Sequence, residues 1–393
     1  MSEQFDVVIG GGGMVGLALA SLLPSDLSIA VVDGQPWQRV TQLDDAVDQR
    51  VSAISPRSQQ ILSASGAWAS LPSARLTPYQ RMVVWESDGC ASLTFAAEEM
   101  AAANLGHIIE NRVLRAALYQ TLESQRHIHW FNATISDIEL QEPMSQLALS
   151  DGTLLSTRLL VGADGARSQI RQQLRISTAQ HDYQQQALVA TISTEKPHQY
   201  TAWQRFLATG PIAYLPLFDQ HQCSIVWSMA ESQLAEFLTL SLPQQQQAIG
   251  RALGFELGAI KLQSPLRSFP LVAQHAAHYT KPGVALIGDA AHAIHPLAGQ
   301  GVNLGFSDAQ QLADVLIDTR SKGHSVAHYP ALRAFERARK GENYLMQKAM
   351  TALNWAYSQQ SLPLSALRNI AVRKLQNTPQ LKRQFMRRAM GEV

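Results

Sequence analysis

The sequence predicts an α/β protein in which a doubly wound sheet is interleaved with a second, mostly antiparallel β-sheet and followed by a helical C-terminus. The first observation is a βαβ pattern at the start of the chain, with strands over Phe5–Ile9 and Ser28–Asp33 and a helix over Met14–Leu23. Parallel strands joined by a crossover helix are typical of a doubly wound sheet. The second observation is strand-like alternation in Arg81–Phe95 and Ala187–Ser228, which predicts the second sheet.

Further periodic runs extend the first domain. Helical spacing over Val113–Leu122 and Val302–Leu316, a hairpin about Asp151-Gly152, and buried strands over Leu159–Gly162 and Val284–Ile287 belong to the first domain. The predicted Rossmann-like nucleotide domain comprises residues 1–75, 100–180 and 272–345. The predicted β-sheet domain for the substrate comprises residues 76–99 and 181–271, and a helical, basic C-terminal segment comprises residues 346–393.

Composition excludes several functional classes. A formal net charge of +1 over 393 residues provides no field that would attract nucleic acid, so no nucleic-acid partner is expected. Cys90 and Cys223 are too few for a disulfide framework or a four-ligand zinc site. The N-terminus carries Glu3 and Asp6 where a secretory signal has basic residues, and no run of about 20 apolar residues occurs. We therefore expect a cytoplasmic protein.

A glycine motif lies between the first strand and the first helix. Gly11, Gly13 and Gly16 form a G-x-G-x-x-G pattern, and Asp33 ends the next strand. The first glycine permits a tight turn, the second lets backbone N–H groups approach a pyrophosphate, and the third lets helix and strand pack closely. Asp33 would bind ribose hydroxyls. The pattern predicts a dinucleotide site, and a purely structural glycine turn is the alternative.

Two later motifs also follow buried strands. Asp164-Gly165, within Gly162–Ser168, predicts in isolation only a turn followed by a helix N-cap. Gly288-Asp289 begins a longer motif that ends with Gly299–Asn303. A carboxylate at a strand end can accept a hydrogen bond from a ribityl hydroxyl, and a helix N-terminus beside it would stabilise negative charge on a reduced flavin.

Together the three motifs resemble the para-hydroxybenzoate hydroxylase class of FAD monooxygenases, in the same order and at similar separations over nearly the whole chain. Within that class, Gly288–Gly305, Asp48–Ser55 and Leu105–Asn111 are similar to the hydroxylases of ubiquinone biosynthesis. Ala187–Ile192 and Cys223–Ser228 are most similar to the branch of 2-octaprenylphenol hydroxylases.

The resemblance implies a FAD-dependent, NAD(P)H-consuming monooxygenase that hydroxylates a polyprenylphenol intermediate of ubiquinone biosynthesis. NADH or NADPH would reduce FAD, molecular oxygen would add to the reduced flavin as a C4a-hydroperoxide, and one oxygen atom would pass to the ring. Such a cycle requires an apolar pocket from which water is excluded. Two departures from the family pattern are chemically mild, because Asp33 stands where Glu is commoner and Ala293 where Thr is common.

The resemblance also implies roles for single residues. The expected cofactor-binding residues are Gly11, Gly13, Gly16, Asp33, Arg50, Glu110, Asn111, Asp164, Gly165, Gly288, Asp289, Gly299, Gln300, Gly301 and Asn303. Glu110 and Asn111 are explained equally well as the start of a helix. Pro296, expected over the reacting face of the flavin, and the adjacent His295 are the catalytic candidates. His292 and His295 have no accompanying third ligand, so no metal is expected.

The substrate wall is expected on the second sheet, although aromatic residues on strands often serve only the core. The candidates are Trp85, Phe206, Tyr214, Pro216 and Trp227.

The last thirty residues, from Leu364, contain seven basic side chains and one acid, Glu392, with interspersed apolar residues. This amphipathic pattern predicts association with the inner face of a membrane or with enzymes of the same pathway, or else a solvated helix end.

Two alternatives share the cofactor motifs. One is a FAD monooxygenase of another aromatic or isoprenoid substrate, since those motifs carry no information on the substrate. The other is a non-catalytic prenyl-binding protein on the same fold. The complete run from Gly288 to Asn303 argues against a carrier, because a carrier needs no cradle for a flavin ring.

Overall fold

The computed structural model describes residues 2–44, 46–87, 91–294, 301–359 and 362–391. A mainly parallel sheet carries the glycine motif. Its strands are β1 (Glu3–Gly10), β2 (Ile29–Val32), β8 (Ile128–Phe131), β9 (Ile135–Glu139), β10 (Ser145–Leu149), β11 (Leu154–Gly162), β18 (Thr280–Lys281) and β19 (Val284–Leu286). β19, β11, β1, β2 and β8 lie side by side and parallel, whereas β18 and the hairpin strands β9 and β10 are antiparallel. Val7 to Ile9 are fully buried, as a strand covered on both faces requires.

The second sheet is antiparallel except for one strand pair. Its strands are β5 (Arg81–Glu86), β6 (Ser92–Ala96), β12 (Thr178–Thr194), β13 (Thr201–Leu207), β14 (Gly210–Pro216), β15 (Gln222–Ala230), β16 (Ile260–Leu262), β17 (Arg267–Ala276) and β20 (His292–Ala293). They follow the order β20-β17-β12-β15-β14-β13-β5-β6, with β16 beside β12 and with β5 parallel to β13.

A third sheet of three short strands packs against the second. It consists of β3 (Val51–Ile54), β4 (Thr77–Tyr79) and β7 (Gly106–Glu110), with β7 in the centre. Ala53 and Ile108 of this sheet share one buried cluster with Ala202, Leu215 and Leu217, so the third sheet joins the nucleotide-binding region to the second sheet.

Helices cover both larger sheets. They are α1 (Met14–Leu22), α2 (Pro56–Ala64), α3 (Asn111–Leu122), α4 (Gln169–Gln173), α5 (Glu231–Thr239), α6 (Leu242–Ala252), α7 (Gly301–Ser321), α8 (Tyr329–Ser358), α9 (Leu362–Gln376) and α10 (Pro379–Met390). In α3, Leu114, Leu118 and Leu122 recur at intervals of four and are fully buried, which is the pattern of a helix with one apolar face.

The predicted fold class is confirmed, with two differences. The third sheet was not predicted, because its strands have only three to five residues. The helix α8 runs without interruption through residues 345 and 346, where the sequence suggested a domain boundary. The C-terminal segment is therefore a continuation of the helical layer.

The two faces of the second sheet have different neighbours. Leu188, Tyr214, Ile225 and Trp227 pack with Phe237 of α5 and residues of α6 in one buried cluster. The intervening residues along the same strands therefore point to the other face, because side chains alternate along a strand.

The C-terminal helices cover the edge strand β6. Asn369 of α9 accepts a hydrogen bond through Oδ1 from the Ala91 N–H at 3.1 Å, and Gln376 accepts one through Oε1 from the Thr94 N–H at 3.1 Å. In α10, Met386 and Met390 are buried, and Lys382 pairs with Glu99 at 2.6 Å. None of the helices in the described part of the chain combines the length and the apolar character that crossing a membrane requires.

A buried ionic network joins α7 to α8. Asp308 is fully buried and accepts hydrogen bonds from Arg339 Nε at 2.7 Å, His292 Nε2 at 2.5 Å and the Gly288 N–H at 3.0 Å. Burial alone would raise the pKa of Asp308, but His292 and Arg339 outweigh it and lower that pKa to about 2. Asn343 donates to the same carboxylate at 3.1 Å.

We predict that Asp308→Asn lowers the free energy of unfolding by about 3 kcal/mol, because it removes the buried counter-charge of Arg339 and leaves only the half-exposed Glu342 to pair with it. Urea or thermal unfolding of the purified variant measures this change. The matched control is Asp318→Asn, whose partner Lys322 forms an exposed pair at 2.6 Å, and little change is expected there. Equal effects of the two substitutions would contradict the prediction.

Candidate active site

The glycine motif brings the backbones of three elements together. Gly11 has φ +112°, and a Cβ at this position would lie 2.3 Å from the Ala163 carbonyl oxygen at the end of β11. A Cβ at Gly16 would lie 2.0 Å from the Gly11 carbonyl oxygen. Only glycine therefore permits α1 to pack this close to the ends of β1 and β11.

The start of α1 provides free backbone donors. Gly13 is the N-cap residue in an extended conformation, and because it has no side chain the first N–H groups of the helix are left uncapped. Gly13, Met14 and Val15 all line a cleft between the first two sheets. Unsatisfied N–H groups and the positive end of the helix dipole suit this place to a pyrophosphate.

Asp33 lies at the end of β2 beside this turn. Its Oδ2 accepts a hydrogen bond from the Gly12 N–H at 2.6 Å, and its Oδ1 accepts one from the Gln35 N–H at 2.7 Å. Each carboxylate oxygen has a second lone pair, so the carboxylate can still accept from a ribose hydroxyl. Arg115 of α3 fixes the turn from the other side, since its Nε donates to the Gly12 carbonyl at 2.8 Å. Sequence reasoning did not identify Arg115, whose helical position carries no motif.

The cleft has a volume of about 800 Å³. Of the expected cofactor residues, it is lined by Gly11, Gly13, Asp33, Arg50, Asn111, Asp164, Gly165, Asp289 and Gly301. Gly299 and Gln300, and the catalytic candidates His295 and Pro296, lie outside the residues that the structure describes. The structure thus brings residues of all three motifs to one cavity.

Asp164 presents an unpaired acceptor at the cleft. Its Oδ2 accepts a hydrogen bond from the Ile170 N–H at 3.1 Å, whereas its Oδ1 is buried and has no partner among the described residues. A buried acceptor without a partner is costly. A hydroxyl of a bound dinucleotide would satisfy it.

Asp289 carries the carboxylate of the third motif. Desolvation raises its pKa, while His292 and Arg50 lower it to a smaller extent. The Arg50 guanidinium lies 5.4 Å from the centre of the Phe269 ring, on the opposite wall of the cleft. The N-terminus of α7, at Gly301, opens into the same space.

Gln274 and Arg171 each hydrogen-bond to the backbones of both the second and the third motif and so hold the two motifs together. The Gln274 Nε2 donates to the Ala166 carbonyl at 2.6 Å and to the Asp289 carbonyl at 3.0 Å. Arg171 donates to the same Ala166 carbonyl at 2.9 Å and to the Ala290 carbonyl at 2.8 Å. Ser168 caps α4, as predicted, by accepting from the Arg171 N–H at 3.0 Å.

Four expected cofactor residues do not line the cleft. Gly16 lies in the first turn of α1, and Gly288 has φ +58° in the turn that follows β19. Glu110 pairs with Arg75 at 2.7 Å and accepts from the Asp48 N–H at 2.6 Å, so its carboxylate already serves the protein. Asn303 accepts from the Ser55 N–H at 3.0 Å and donates to the Ala53 carbonyl at 2.8 Å. Their positions support an indirect role in which they hold the cofactor loops.

The aromatic residues chosen for the substrate wall lie elsewhere. Tyr214 and Trp227 face α5 and α6, where the Tyr214 hydroxyl donates to the Ile249 carbonyl at 3.0 Å. Pro216 shares the face of Tyr214 by strand alternation. Trp85 packs edge-on against Trp203 on that same face.

Phe206 is on the opposite face but is covered by Tyr357 of α8, with ring centres 3.9 Å apart. The second sheet instead lines the cleft with Ala187, Val189, Leu215, Val226, Phe269 and Leu271. On these two strands the residue that lines the cleft is therefore the neighbour of the expected one: Leu215 in place of Tyr214, and Val226 in place of Trp227.

Comparisons with known proteins identify the family. A family model described as "FAD binding domain" matches residues 4–329. The chain belongs to this family. It is 36% identical over 395 residues to the 3-demethoxyubiquinol 3-hydroxylase of Escherichia coli (strain K12), covering 99% of each chain. It is 34% identical over 434 residues to the mitochondrial ubiquinone biosynthesis monooxygenase COQ6 of Danio rerio, covering 98% of this chain and 89% of that protein.

The chain is therefore a FAD-dependent monooxygenase of the ubiquinone-biosynthesis hydroxylase type, which confirms the predicted family and enzyme class. Solved structures share the fold. p-Nitrophenol 4-monooxygenase PnpA from Pseudomonas putida DLL-E4 matches with a TM-score of 0.81 at 17% identity, covering 98% of this chain and 97% of that chain. Aklavinone-11 hydroxylase, solved in a ternary complex with FAD and aklavinone, matches with a TM-score of 0.70 at 18% identity, covering 90% of this chain and 70% of that chain.

We predict that Asp164→Asn weakens FAD binding by roughly 10- to 100-fold, because an amide nitrogen would face the cleft where a dinucleotide hydroxyl needs an acceptor. Titration of FAD-free protein, followed by flavin fluorescence, measures this change. Asp151→Asn is the matched control, since Asp151 also precedes a glycine at a strand end and accepts from the Thr153 N–H at 3.0 Å. Unchanged FAD affinity in Asp164→Asn would contradict the role assigned to its Oδ1.

Proposed function

We propose that the protein uses NADH or NADPH and molecular oxygen to hydroxylate the ring of a polyprenylated phenol in ubiquinone biosynthesis. One observation carries this proposal. A single cleft has the nucleotide motifs of the parallel sheet on one side and an apolar wall of the second sheet on the other. The names of the relatives from E. coli and D. rerio support a quinone precursor as the substrate.

The residues around the cleft suit FAD. Gly13 and the start of α1 would hold the pyrophosphate, Asp33 the adenosine ribose, and Asp164 and Asp289 the ribityl side of the cofactor. The N–H groups at the start of α7 would stabilise negative charge on the reduced ring. When bound, FAD supplies the redox chemistry, accepting a hydride from the nicotinamide and activating oxygen for transfer to the ring.

The second sheet supplies the other requirements of the reaction. Val189, Leu215 and Val226 present aliphatic side chains to the cleft, which would bind a prenylated ring and exclude water from it. Every described strand belongs to one of the three sheets, so the described residues form no separate nicotinamide domain. We propose that NADH or NADPH enters the same cleft transiently.

The expected result with FAD-loaded protein, NADPH or NADH and a short-chain prenylphenol is one hydroxylated product per reductant consumed. With isotopically labelled molecular oxygen, mass spectrometry should find one labelled oxygen atom in that product. A reduced product without oxygen uptake would instead indicate a reductase. Tight binding without any flavin-dependent turnover would indicate a prenyl-binding protein, and either result would overturn the proposal.

We also propose that the C-terminal helices associate peripherally with an anionic membrane surface at the inner face. Exposed apolar and basic side chains of α9 and α10 form what we call the C-terminal surface: Leu367, Ile370, Arg373, Lys374, Leu381, Arg383, Phe385, Arg387 and Arg388. Large apolar groups between cations suit the interface of an anionic bilayer. A polyprenylated substrate would reside in such a membrane.

Replacing Arg383, Arg387 and Arg388 together by Gln should weaken binding to phosphatidylglycerol-rich vesicles at least roughly 10-fold, since each cation near the surface contributes about 1 kcal/mol. Sedimentation with vesicles measures this change, and pure phosphatidylcholine vesicles provide the neutral reference. The matched control replaces the exposed Arg126, Arg251 and Arg337 by Gln. Equal loss of binding in both triple variants would argue against a localised docking surface.

A further inference from the structure

Gln49 has an unsatisfied buried acceptor at the wall of the cleft. Gln49 is only 9% exposed, and it directly precedes the cofactor residue Arg50, after which the third sheet begins at Val51. Its Nε2 donates to the Pro265 carbonyl, which can only accept, so the orientation of the amide is fixed. The Oε1 consequently faces away from Pro265, and it has no hydrogen-bond partner among the described residues.

The surroundings of Gln49 place this acceptor at one end of the apolar wall. Pro265 follows Ser264, whose hydroxyl accepts a hydrogen bond from the Thr191 N–H at 2.9 Å. Thr191 pairs directly with Ser224 across β12 and β15, and both of their hydroxyls are buried without a partner in the described structure.

The next residues on the same strand faces are apolar. Val189 and Val226 form the adjacent cross-strand pair, and both line the cleft. On this face of β12 and β15, the aliphatic pair Val189–Val226 is thus followed directly by the polar pair Thr191–Ser224. Thr191 and Ser224 are buried and do not line the cleft, whereas Gln49 does. An aliphatic wall with an acceptor at one end fits a ring that is apolar over most of its surface and carries a hydroxyl at one edge.

We propose that Gln49 is a specificity-determining residue whose Oε1 accepts a hydrogen bond from the ring hydroxyl of the substrate. The inference rests on the proposed function and deepens it, because it names the group of the phenol that the protein recognises. Gln49 lines the cleft, and its Oε1 is buried there without a partner among the described residues. The bond would satisfy an acceptor that is otherwise buried without a partner, and a ring without a hydroxyl would leave it unsatisfied.

The test compares a short-chain prenylphenol with the corresponding prenylbenzene, which has the same shape but no hydroxyl. Binding of each to FAD-loaded protein is followed by the change in flavin absorbance, and FAD affinity is measured separately. We expect the natural protein to prefer the phenol by at least roughly 10-fold, and we expect Gln49→Met to reduce this ratio to near one. The KM for the phenol should rise, while FAD affinity stays unchanged.

Gln347→Met is the matched control. Gln347 is a buried amide whose Nε2 donates to the Gln274 and Ala293 carbonyls at 3.1 Å each, and it does not line the cleft. This variant loses two structural hydrogen bonds, one more than Gln49→Met, but it removes no side chain from the cleft wall, so it should keep the natural preference for the phenol. A loss of preference in both variants would assign the effect to general loosening and overturn the inference.

Other outcomes are equally decisive. If Gln49→Met keeps the preference, or weakens FAD binding without changing the ratio, the acceptor does not serve the ring hydroxyl. If Gln49→Met does not fold, the natural protein alone decides, because equal binding of phenol and prenylbenzene would exclude a recognised hydroxyl. Failure of the proposed function is distinct, since it would show as an absence of hydroxylated product while the binding ratio could still be measured.

Discussion

The cleft depends on the close approach of three strand ends. β1, β11 and β19 are parallel neighbours, so their carboxyl ends lie at one edge of the sheet, where ligands of such folds bind. At that edge Gly11 contacts the Ala163 backbone, and Gly16 contacts Gly11, with no room for a Cβ. This contact brings the start of α1 beside the Asp164 turn. The donors for a pyrophosphate and the acceptors for hydroxyls then lie around one cavity.

Two carboxylates next to the third motif have opposite roles. Asp308 pairs with Arg339, accepts a hydrogen bond from His292 and anchors the Gly288 N–H, so its role is structural. Asp289 faces the cleft, and desolvation raises its pKa although His292 and Arg50 partly oppose this. Asp308, paired within the protein, thus fixes the loop that carries Asp289. Asp289 is left to interact with a ligand in the cleft.

The parts of the site that depend on short-range sequence patterns could be predicted. The strand, glycine turn and helix that begin the chain are local, and the order of the three motifs was sufficient to identify the family. The face of a strand could not be predicted in β14 and β15, because the neighbours Tyr214 and Leu215, like Val226 and Trp227, are apolar on both sides. Which neighbour lines the cleft is decided by α5 and α6, which cover one face of the sheet. The ion pair between Glu110 and Arg75 likewise joins residues from different elements, so no local sequence pattern could predict it.

The covering of β6 by the C-terminal helices has a consequence for the solubility of the chain. β6 is the last strand of a nine-stranded sheet, and its outer amides would otherwise be available to another strand. Side-chain amides of Asn369 and Gln376 occupy the Ala91 and Thr94 N–H groups. An uncovered edge of this kind is a template for intermolecular strand pairing. A shortened chain without α9 and α10 would therefore tend to form aggregates through β6, quite apart from any contact with lipid.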